Sequence, residues 1–405
     1  MGDSLGEIGR SQKGIYANLG YDFLEVDLSR AEWSDFLNRT LSKGDIECVV
    51  SFMGMGADMS GRTATGESVN LWDGMGIPFI SLFGDTPAYF FDRHVMPSAR
   101  CAGLYAFSEH CSFRRQLPHV RGLLGVMPPA SLDTVSKNAV DFAAKELGKV
   151  YFLKNGNDPD KLLKMWRQAL SPTVFLMLME VAADLAGDLA SERGCDIDDH
   201  VTAYFRDKGL DIESLLNLRL FFIAQLDDYL RRLKSTFIVQ TLLDFPIEVH
   251  GYNWEHVDFS GKRARLIHGG TYANSRQLIM NALATIDMSP NTSSAPHERV
   301  SRAIGMHTLC ITNEQRFFRD RLPGFDDCLY RFERDNLCYR IADVLDKPKQ
   351  YVERGRDMAD AFRAKFDPEA AARRILDTAE CLRMAQGGRT HPLQDFFAWP
   401  PAKLQ

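Results

Sequence analysis

The sequence lacks several features that would have narrowed its function at once. None of its eight cysteines forms a Cys-x-x-Cys pair, and several lie in apolar runs typical of strands, such as 47–50 and 309–311. In such runs cysteine acts as a small hydrophobic residue. This usage favours a reducing cytosol over a disulfide scaffold, so we expect a cytoplasmic protein.

A dense basic run and a long uninterrupted apolar run are also missing. The formal net charge is −6, so nucleic acid is not expected as a partner. The apolar stretch 174–190 carries Glu180, Asp184 and Asp188 and is too interrupted to span a bilayer. The first residues are polar and rich in glycine, which differs from a signal peptide. We therefore expect at most peripheral contact with a membrane.

What is present is the pattern of an α/β protein. The chain has 405 residues, with 45% hydrophobic and 25% charged residues, which suits a globular protein of two or three domains. Short apolar segments alternate with helical ones, and this alternation predicts βαβ units on parallel sheets. The predicted strands are 22–26, 48–52, 78–83, 103–108, 124–127, 150–153, 246–250, 264–267, 285–288 and 308–312.

A long segment, about 158–243, has helical periodicity and no convincing strand. It interrupts the second run of strands. We therefore predict two Rossmann-like domains that face a cleft, with a helical insert in the second. The expected boundaries are 1–148 for the first domain and 149–384 for the second. Residues 385–405 form a tail, for which packing against the first domain is left open.

Residues 286–313 carry the clearest functional signal. A strand ends in a polar loop that contains Asn291, Thr292, Ser293 and Ser294, and a helix is predicted to begin at Pro296. Free backbone N–H groups, hydroxyls and the helix dipole make such a loop suitable for a phosphate. The alternative is ordinary helix capping, which the same residue types serve.

These residues resemble the donor domain of GT-B glycosyltransferases, most of all the bacterial spore-coat-maturation and lipopolysaccharide type. The resemblance rests on Asp287-Met288-Ser289-Pro290, His297-Glu298-Arg299, Gly305, the run 309–312 and a helical tail over 341–375. In the first half, segment 45–52 followed by Gly54 and Gly56, and Gly84-Asp85-Thr86-Pro87, are similar to the acceptor-side loops of the family.

The resemblance implies a glycosyltransferase that works without a bound metal or cofactor. The donor would be a nucleotide-sugar, and the acceptor a glycan, a lipid-linked compound or a protein. Glu298 matches the family's acidic residue on the ribose. Basic side chains, backbone N–H groups and a helix dipole would replace a cation in stabilising the diphosphate.

Candidate donor-binding residues follow strand ends in the second half, because open parallel sheets bind ligands at that edge. Glycines in these loops permit close approach of the backbone, and aromatic residues offer a surface to a nucleotide. Turn formation is the competing explanation for the glycine loops. The candidates are Lys154, Gly251, Tyr252, Asn253, Gly270, Thr271, Tyr272, Asn291, Thr292, Ser293, Ser294, His297, Glu298 and Arg299.

Asp85 is the first candidate for a catalytic base, with His94 and His110 next. Asp85 directly follows a strongly apolar strand and lies between Gly84 and Thr86-Pro87. A carboxylate there is placed to take a proton from an acceptor hydroxyl. The alternative is a turn-capping aspartate.

Two other classes of function stay open. A nicotinamide-dependent oxidoreductase would require Gly-x-Gly-x-x-Gly after a first strand, whereas Met59 stands where the third glycine after Gly54 and Gly56 would be. A non-catalytic two-domain protein that binds a ligand is the other class.

Overall fold

The computed structural model describes residues 2–63, 65–130, 133–187 and 196–386. The chain divides into two compact units. The smaller unit is built on residues 8–128 together with the helix that follows residue 367, and the larger unit on residues 129–367. The division differs from the expected boundaries: residues 129–148 belong to the larger unit, and residues 368–384 to the smaller. Most of the expected tail, 387–405, lies outside the described residues.

The smaller unit contains a parallel sheet of four strands in the order β1-β4-β5-β6. Its central strands are buried, as their continuous apolar sequence predicts. Along the chain, β1 and β4 are separated by a short antiparallel pair of strands, β2–β3, which forms a sheet of its own. The strands are β1 (Val49–Phe52), β2 (Ser60–Arg62), β3 (Ser68–Asn70), β4 (Phe79–Phe83), β5 (Cys101–Tyr105) and β6 (Leu123–Val126). The helices of this part of the chain are α1 (Gly2–Asn18), α2 (Trp33–Ser42), α3 (Leu71–Met75), α4 (Phe91–His94) and α5 (Ser108–Gln116).

The larger unit contains a parallel sheet of six strands in the order β12-β11-β10-β7-β8-β9. The strands are β7 (Val150–Leu153), β8 (Ile247–His250), β9 (Arg265–Ile267), β10 (Ala284–Ile286), β11 (Leu309–Asn313) and β12 (Leu329–Tyr330). The chain first adds β8 and β9 on one side of β7 and then returns to add β10, β11 and β12 on the other. The strand order therefore reverses between β7 and β10.

Helices cover this sheet and account for the long strand-free segment. The predicted helical insert is confirmed: the described residues between β7 and β8 form four helices, the last of which has 26 residues. The helices of the larger unit are α6 (Phe142–Glu146), α7 (Pro159–Ala169), α8 (Pro172–Gly187), α9 (Ile197–Asp207), α10 (Leu216–Thr241), α11 (Tyr272–Met280), α12 (Glu298–Gly305), α13 (Arg316–Arg321), α14 (Arg334–Asp346) and α15 (Pro348–Lys365).

The last described helix, α16 (Pro368–Gln386), returns to the smaller unit. Ile375, Ala379 and Leu382 recur at helical spacing on one face, and all three are buried. They pack against Ile80 of β4 and against β5 of the same unit. Helix α16 thus completes the core of the smaller unit.

The predicted α/β class with parallel sheets is confirmed, and most predicted strands exist with ends shifted by a few residues. The predicted strand 22–26 is wrong, because that segment has no regular structure. The helix expected from Pro296 begins at Glu298, with His297 as its N-cap. Among the described residues, no helix is long and apolar enough to cross a membrane. The described cysteines, such as Cys48 and Cys310, are free thiols.

Candidate functional site

The candidate site lies at the carboxyl edge of the larger unit's sheet, where β7 and β10 are neighbours. Ligands of open parallel sheets bind outside the carboxyl ends of the strands at the point where the strand order reverses. Lys154 is the first residue after β7, and Asp287 is the first after β10. Because β7 and β10 pair in parallel, these two charged residues follow adjacent strand ends at that point.

Lys154 is partly buried and surrounded by other charges. Its pKa is lowered to about 7, first by burial and then by the positive charges of Arg299 and Arg231, while Asp287 and Asp227 act in the opposite direction. Three cations therefore converge on one place, with two carboxylates to balance them. An arrangement with this excess of positive charge favours an anion of the phosphate type.

Asp287 fixes the orientation of Arg299. The carboxylate is 2% exposed and accepts a hydrogen bond of 2.8 Å from Nε of Arg299. Its other oxygen lies 3.4 Å from Nδ1 of His297. Burial alone would raise the pKa of Asp287, but Arg299 and His297 outweigh it and hold the pKa well below its usual range. The carboxylate is therefore ionised and locks the guanidinium in place.

His297 serves as the N-cap of α12. Its Nδ1 accepts a hydrogen bond of 3.3 Å from the backbone N–H of Arg299. Burial, with a contribution from Arg299, lowers the pKa of His297. The predicted neighbours His297, Glu298 and Arg299 are thus brought to the start of one helix, which adds the partial positive charge of its dipole to the site.

Helix α10 supplies the opposite wall of the site. Arg231 lies 2.8 Å from Asp227 one turn earlier on the helix. The buried Lys234 donates a hydrogen bond of 2.7 Å to the side chain of Asn291, and Asn291 in turn donates 2.8 Å to Asp227. Asn291 has a φ of +50°, a conformation that asparagine tolerates better than most residues. Its side chain ties the polar loop after β10 to α10.

Polar groups in the rest of that loop also have hydrogen-bond partners within the protein. Thr292 is fully buried, and its backbone oxygen accepts from Ser289. The hydroxyl of Ser293 accepts a hydrogen bond of 2.6 Å from the backbone N–H of Arg316 at the start of α13. Ser294 is partly buried. The structure therefore places Thr292 in a contact within the loop and Ser293 in a contact with α13, while Asn291 contacts the charged cluster.

The loop after β8 lies against Lys154. A Cβ on Gly251 would come within 2.4 Å of the backbone oxygen of Lys154, and its φ is +155°, so only glycine fits. Tyr252 is 54% exposed and presents its ring at the surface, and Asn253 has a φ of +64°. Trp254 is completely buried and donates a hydrogen bond of 2.9 Å to the oxygen of Lys154. Of the two aromatic residues in this loop, Tyr252 is the one that a ligand can reach.

The segment after β9 contacts the start of α12 through a side-chain hydrogen bond. Gly270 precedes Thr271, whose hydroxyl caps α11 by accepting from the N–H of Asn274 at 3.1 Å. The hydroxyl of Tyr272 donates a hydrogen bond of 2.7 Å to Glu298. Burial, together with the negative charge of Glu298, raises the pKa of Tyr272. The two predicted donor-binding segments, 270–272 and 297–299, therefore meet at one edge of the sheet.

The predicted catalytic residues lie in the smaller unit. Asp85 is partly buried and follows β4 after the exposed Gly84. His94 lies inside the core: its ring stacks on Phe83 at 4.1 Å, and its Nδ1 is 2.8 Å from the hydroxyl of Tyr105. Burial, with the charge of Arg114, lowers the pKa of His94 to about 3. Its buried position and weak basicity leave Asp85 as the better candidate for a base.

His110 and the predicted acceptor-side glycines also have structural partners. His110 lies on α5 with 6% of its surface exposed, edge-on to the ring of Phe107. A Cβ on Gly54 would come within 2.3 Å of the backbone oxygen of Arg93, and the oxygen of Gly56 accepts a hydrogen bond of 2.7 Å from the indole of Trp72. The loop after β1 is thus packed closely against its neighbours.

Asp227, Arg231 and Lys234 belong to the site, yet the sequence argument did not find them. They lie within a helix whose charged residues look like an ordinary solvated face. A signal was available in their spacing, because Asp227 and Arg231 are one turn apart in a strongly apolar helix. Asp287 entered only as part of a family motif, although a carboxylate directly after a buried strand is itself a strong signal.

Among the described residues, no three His, Cys, Asp or Glu side chains are grouped so that they could hold a metal ion.

No protein-family model and no curated protein sequence matches the chain. Solved structures do resemble it, among them the following three. The DNA-modifying enzyme β-glucosyltransferase, with and without its substrate uridine diphosphoglucose, is 9% identical with a TM-score of 0.48, over 95% of this chain and 94% of the other.

Two further similar structures are of the β-glucosyltransferase of T4 phage. One, described with its substrate binding and a proposed catalytic mechanism, is 10% identical with a TM-score of 0.46, over 93% of this chain and 92% of the other. The second, in complex with UDP-glucose, has a TM-score of 0.38 at 10% identity, over 76% and 74%. Since all three TM-scores lie below 0.5, the function has to be argued from the residues of this chain.

Proposed function

We propose that the chain is a glycosyltransferase of the GT-B type that uses a nucleotide-sugar as donor. The larger unit binds the nucleoside diphosphate at the carboxyl edge of its sheet. The smaller unit presents the acceptor and the base Asp85. The lipopolysaccharide and spore-coat type remains our family assignment, with a glycan, a lipid-linked compound or a protein as acceptor.

One observation carries this proposal: Lys154, Arg231 and Arg299 converge at the reversal point of a parallel sheet, beside the start of α12. Glycosyl transfer from a nucleotide-sugar leaves a diphosphate, whose negative charge must be stabilised as the bond breaks. Fixed guanidinium and ammonium groups with a helix dipole supply that stabilisation. This is also the basis for proposing that no metal is required.

The same arrangement disfavours a dinucleotide-dependent oxidoreductase. In that class the pyrophosphate rests on a glycine-rich turn after the first strand of the domain. The first strand here, β7, is followed by the charged Lys154 rather than by such a turn. Charged side chains in place of glycines favour a ligand whose phosphate must be released as a leaving group.

Isothermal titration calorimetry with UDP, GDP, ADP and CDP tests the donor site. At least one of them should bind, and Lys154→Met should weaken its binding about tenfold or more because an ammonium–phosphate contact is lost. This variant leaves the Asp287–Arg299 pair intact. The exposed Lys161→Met on α7 is the matched control and should bind as the unmodified chain does. Equal binding by all three proteins would contradict the proposed site.

Hydrolysis and transfer of nucleotide-sugars test the reaction. UDP-glucose, the substrate named for the T4 phage enzyme, is one member of the donor panel. The acceptor panel contains glycans, lipid-linked compounds and proteins, and also duplex DNA, because the neighbouring enzyme is DNA-modifying. Turnover should persist in EDTA. Complete loss on chelation that magnesium or manganese restores would overturn the metal-independent mechanism.

A further inference from the structure

Helix α4 of the smaller unit carries an aromatic ring and a cation on its outer side. Phe90 is the N-cap of this helix and is 47% exposed. The guanidinium carbon of Arg93 lies 4.9 Å from the centroid of that ring, and the backbone N–H of Arg93 donates a hydrogen bond of 2.9 Å to the oxygen of Phe90. The two side chains therefore form one surface feature, the Phe90–Arg93 pair.

Contacts with the core hold this short helix from its inner side. The ring of His94 stacks on Phe83 at 4.1 Å. The buried Arg114 donates a hydrogen bond of 3.0 Å to the backbone oxygen of His94, and its guanidinium carbon lies 5.3 Å from the ring centroid of Phe91. The neighbouring Phe90 is the ring that stays exposed. Since α4 is fixed in this way, the Phe90–Arg93 pair is ordered before a ligand binds, which lowers the entropic cost of binding.

The pair lies at the carboxyl edge of the four-stranded sheet, where the candidate base also lies. Asp85 follows the end of β4 by two residues, and Gly54 follows the end of β1 by two. These two strands pair in parallel, so their ends are neighbours. A Cβ on Gly54 would come within 2.3 Å of the backbone oxygen of Arg93. The loop after β1 therefore contacts α4 directly at this edge.

The charges at this edge favour a ligand with a single anionic group. Within the part of the chain that the structure describes, no carboxylate pairs with the guanidinium of Arg93, which contacts the ring of Phe90. Such a guanidinium binds a carboxylate or a phosphate through paired hydrogen bonds. Asp58, in the loop after β1, is exposed, and Asp85 is partly buried. Two carboxylates beside one cation repel a strand of phosphates, so a nucleic acid is disfavoured.

The exposed ring adds a preference for a sugar. The face of an aromatic ring carries partial negative charge and attracts C–H groups that carry partial positive charge. One face of a sugar ring presents such C–H groups, while its hydroxyls lie at the rim, where carboxylates accept their hydrogen bonds. A neutral glycan would leave the guanidinium of Arg93 without a partner, whereas an acidic glycan satisfies both members of the pair.

We propose that the Phe90–Arg93 pair binds the acceptor and that the acceptor is an acidic glycan. One sugar ring packs on Phe90, and a carboxylate or phosphate on the same or the next sugar pairs with Arg93. This inference rests on the proposed function and adds the chemical class of the acceptor. It also assigns the specificity for the acceptor to α4, a different element from the loop that carries Asp85.

Binding of the full chain to an array of immobilised oligosaccharides tests this class of acceptor. The array holds neutral glycans, the matching glycans with uronic acids or with sugar phosphates, and single-stranded and duplex oligodeoxynucleotides. At least one acidic glycan should bind about tenfold or more tightly than its neutral counterpart, as expected for a hydrogen-bonded charge. The uronate and phosphate arms show which anion is recognised. Preference for a neutral glycan or an oligodeoxynucleotide, or no binding to any glycan, would overturn the inference.

Substitutions in the pair then test its role with the best acidic glycan as ligand and acceptor. Phe90→Ala and Arg93→Gln should each raise the dissociation constant and the KM of that glycan about tenfold. The kcat at saturating glycan should stay within about twofold, because the candidate base is untouched. Phe90→Trp keeps an aromatic face and should bind as the unmodified chain does. Arg93→Gln should also reduce the preference over the neutral counterpart to about threefold or less.

Matched controls come from exposed residues of the same types elsewhere. Arg121 is exposed and precedes β6, so it lies at the amino edge of the same sheet. Tyr339 is 61% exposed on α14 of the larger unit. Arg121→Gln and Tyr339→Ala should leave the binding of the glycan unchanged. Equal losses in these controls and in the pair would overturn the assignment to α4.

The outcomes separate this inference from the proposed function. If a nucleoside diphosphate binds and the substitutions in the pair leave glycan binding unchanged, the inference is wrong and the donor site stands. If no nucleoside diphosphate binds, the proposed function is wrong, and this inference falls with it. If Phe90→Ala has a lowered melting temperature, Arg93→Gln decides: loss of the preference for the acidic glycan supports the inference, and an unchanged preference overturns it.

Discussion

Lys154 is the residue whose charge depends most on its surroundings. Its pKa of about 7 follows first from burial and then from Arg299 and Arg231. The ammonium is therefore only partly charged at neutral pH in the empty site. A bound phosphate favours the charged form and raises the pKa of the lysine in the complex.

The affinity for a nucleoside diphosphate should therefore fall as the pH rises above about 7. Below that pH the lysine is charged with and without ligand, and affinity stays level. Above it, binding takes up a proton, and the dissociation constant rises by up to about tenfold per pH unit until the pKa of the complex is passed. Calorimetry between pH ~7 and ~9, where the terminal phosphate with a pKa of about 6 is already ionised, measures this.

Lys154→Met provides the comparison for that experiment. It has no ammonium to titrate, so its weaker binding should vary little over the same range. A slope as steep as that of the unmodified chain would show that another group takes up the proton.

Lys145 is a second lysine whose environment disfavours its charge. It is 1% exposed, and its ammonium donates to the hydroxyl of Thr308 and to the backbone oxygen of Ile279. Burial lowers its pKa to about 8. Between that value and its ordinary value of 10.5, the unfolded chain binds more protons than the folded one, so stability rises with pH.

Lys145→Met should raise the melting temperature at pH 7 by a few degrees. The buried charge is removed, and Thr308 still donates its hydrogen bond of 2.7 Å to Ile279. A gain of about 1–3 kcal/mol is the expected order of magnitude for replacing such a charge by an apolar side chain. The gain should shrink as the pH approaches ~10, where the lysine is neutral in the folded chain. A variant that melts lower at pH 7 would show that the ammonium's hydrogen bonds outweigh its burial.

At the scale of elements, strands with continuous apolar sequence were predictable because burial on both faces leaves an unmistakable run. The strand β4 and the loop after it are an example. The strands β2 and β3 were missed because their residues are mostly polar, and β12 because two residues give no periodicity to read. Segment 22–26 has an apolar pattern without a neighbouring strand to pair with, and pairing is a tertiary property.

The candidate site was predictable where it lies near the end of a strand, and not where it lies in the middle of the long helix α10. Lys154, Asn291 and His297 come after apolar strands, and the rule for parallel sheets locates them. Arg231 and Lys234 depend on which face of α10 meets the sheet, which local sequence does not specify. His94 was a candidate for the base from sequence, but the stacking of its ring on Phe83 places it in the core.

The turn after β8 gives a prediction at this scale. Gly251→Ala would bring a Cβ to 2.4 Å from the oxygen of Lys154, so the backbone beside the site must move. We expect destabilisation of about 1–3 kcal/mol and weaker nucleotide binding, measured by melting temperature and calorimetry. Gly261→Ala is the control, because Gly261 also has a positive φ, +68°, but no atom within 4 Å of the added Cβ. Equal effects of the two substitutions would mean that strain, and not contact with Lys154, explains the loss.

At the scale of the whole molecule, the two units should be separable by function. In the proposed function, nucleotide binding belongs to the larger unit and deprotonation of the acceptor to the smaller. Asp85→Asn should reduce transfer to the acceptor found in the panel by about a hundredfold or more, because the shape is kept and the base is removed. The dissociation constant of the nucleotide should stay unchanged, since Lys154 and Arg299 are untouched.

Asp92→Asn, on the exposed side of α4 in the same unit, is the control for that substitution and should transfer sugar normally. Near-normal transfer by Asp85→Asn would place the base elsewhere or indicate a retaining reaction. A large fall in melting temperature would instead assign Asp85 to capping its turn.

The three polar side chains that α10 gives to the site occupy positions 227, 231 and 234, which share one face of a helix. The direction in which these three side chains point therefore depends on the rotation of α10 about its own axis. The chain before α10 affects this wall of the site only through the place where it sets the start of the helix. A single residue inserted inside α10 just before Asp227 would rotate all three side chains by about 100° and carry them away from Asn291 together.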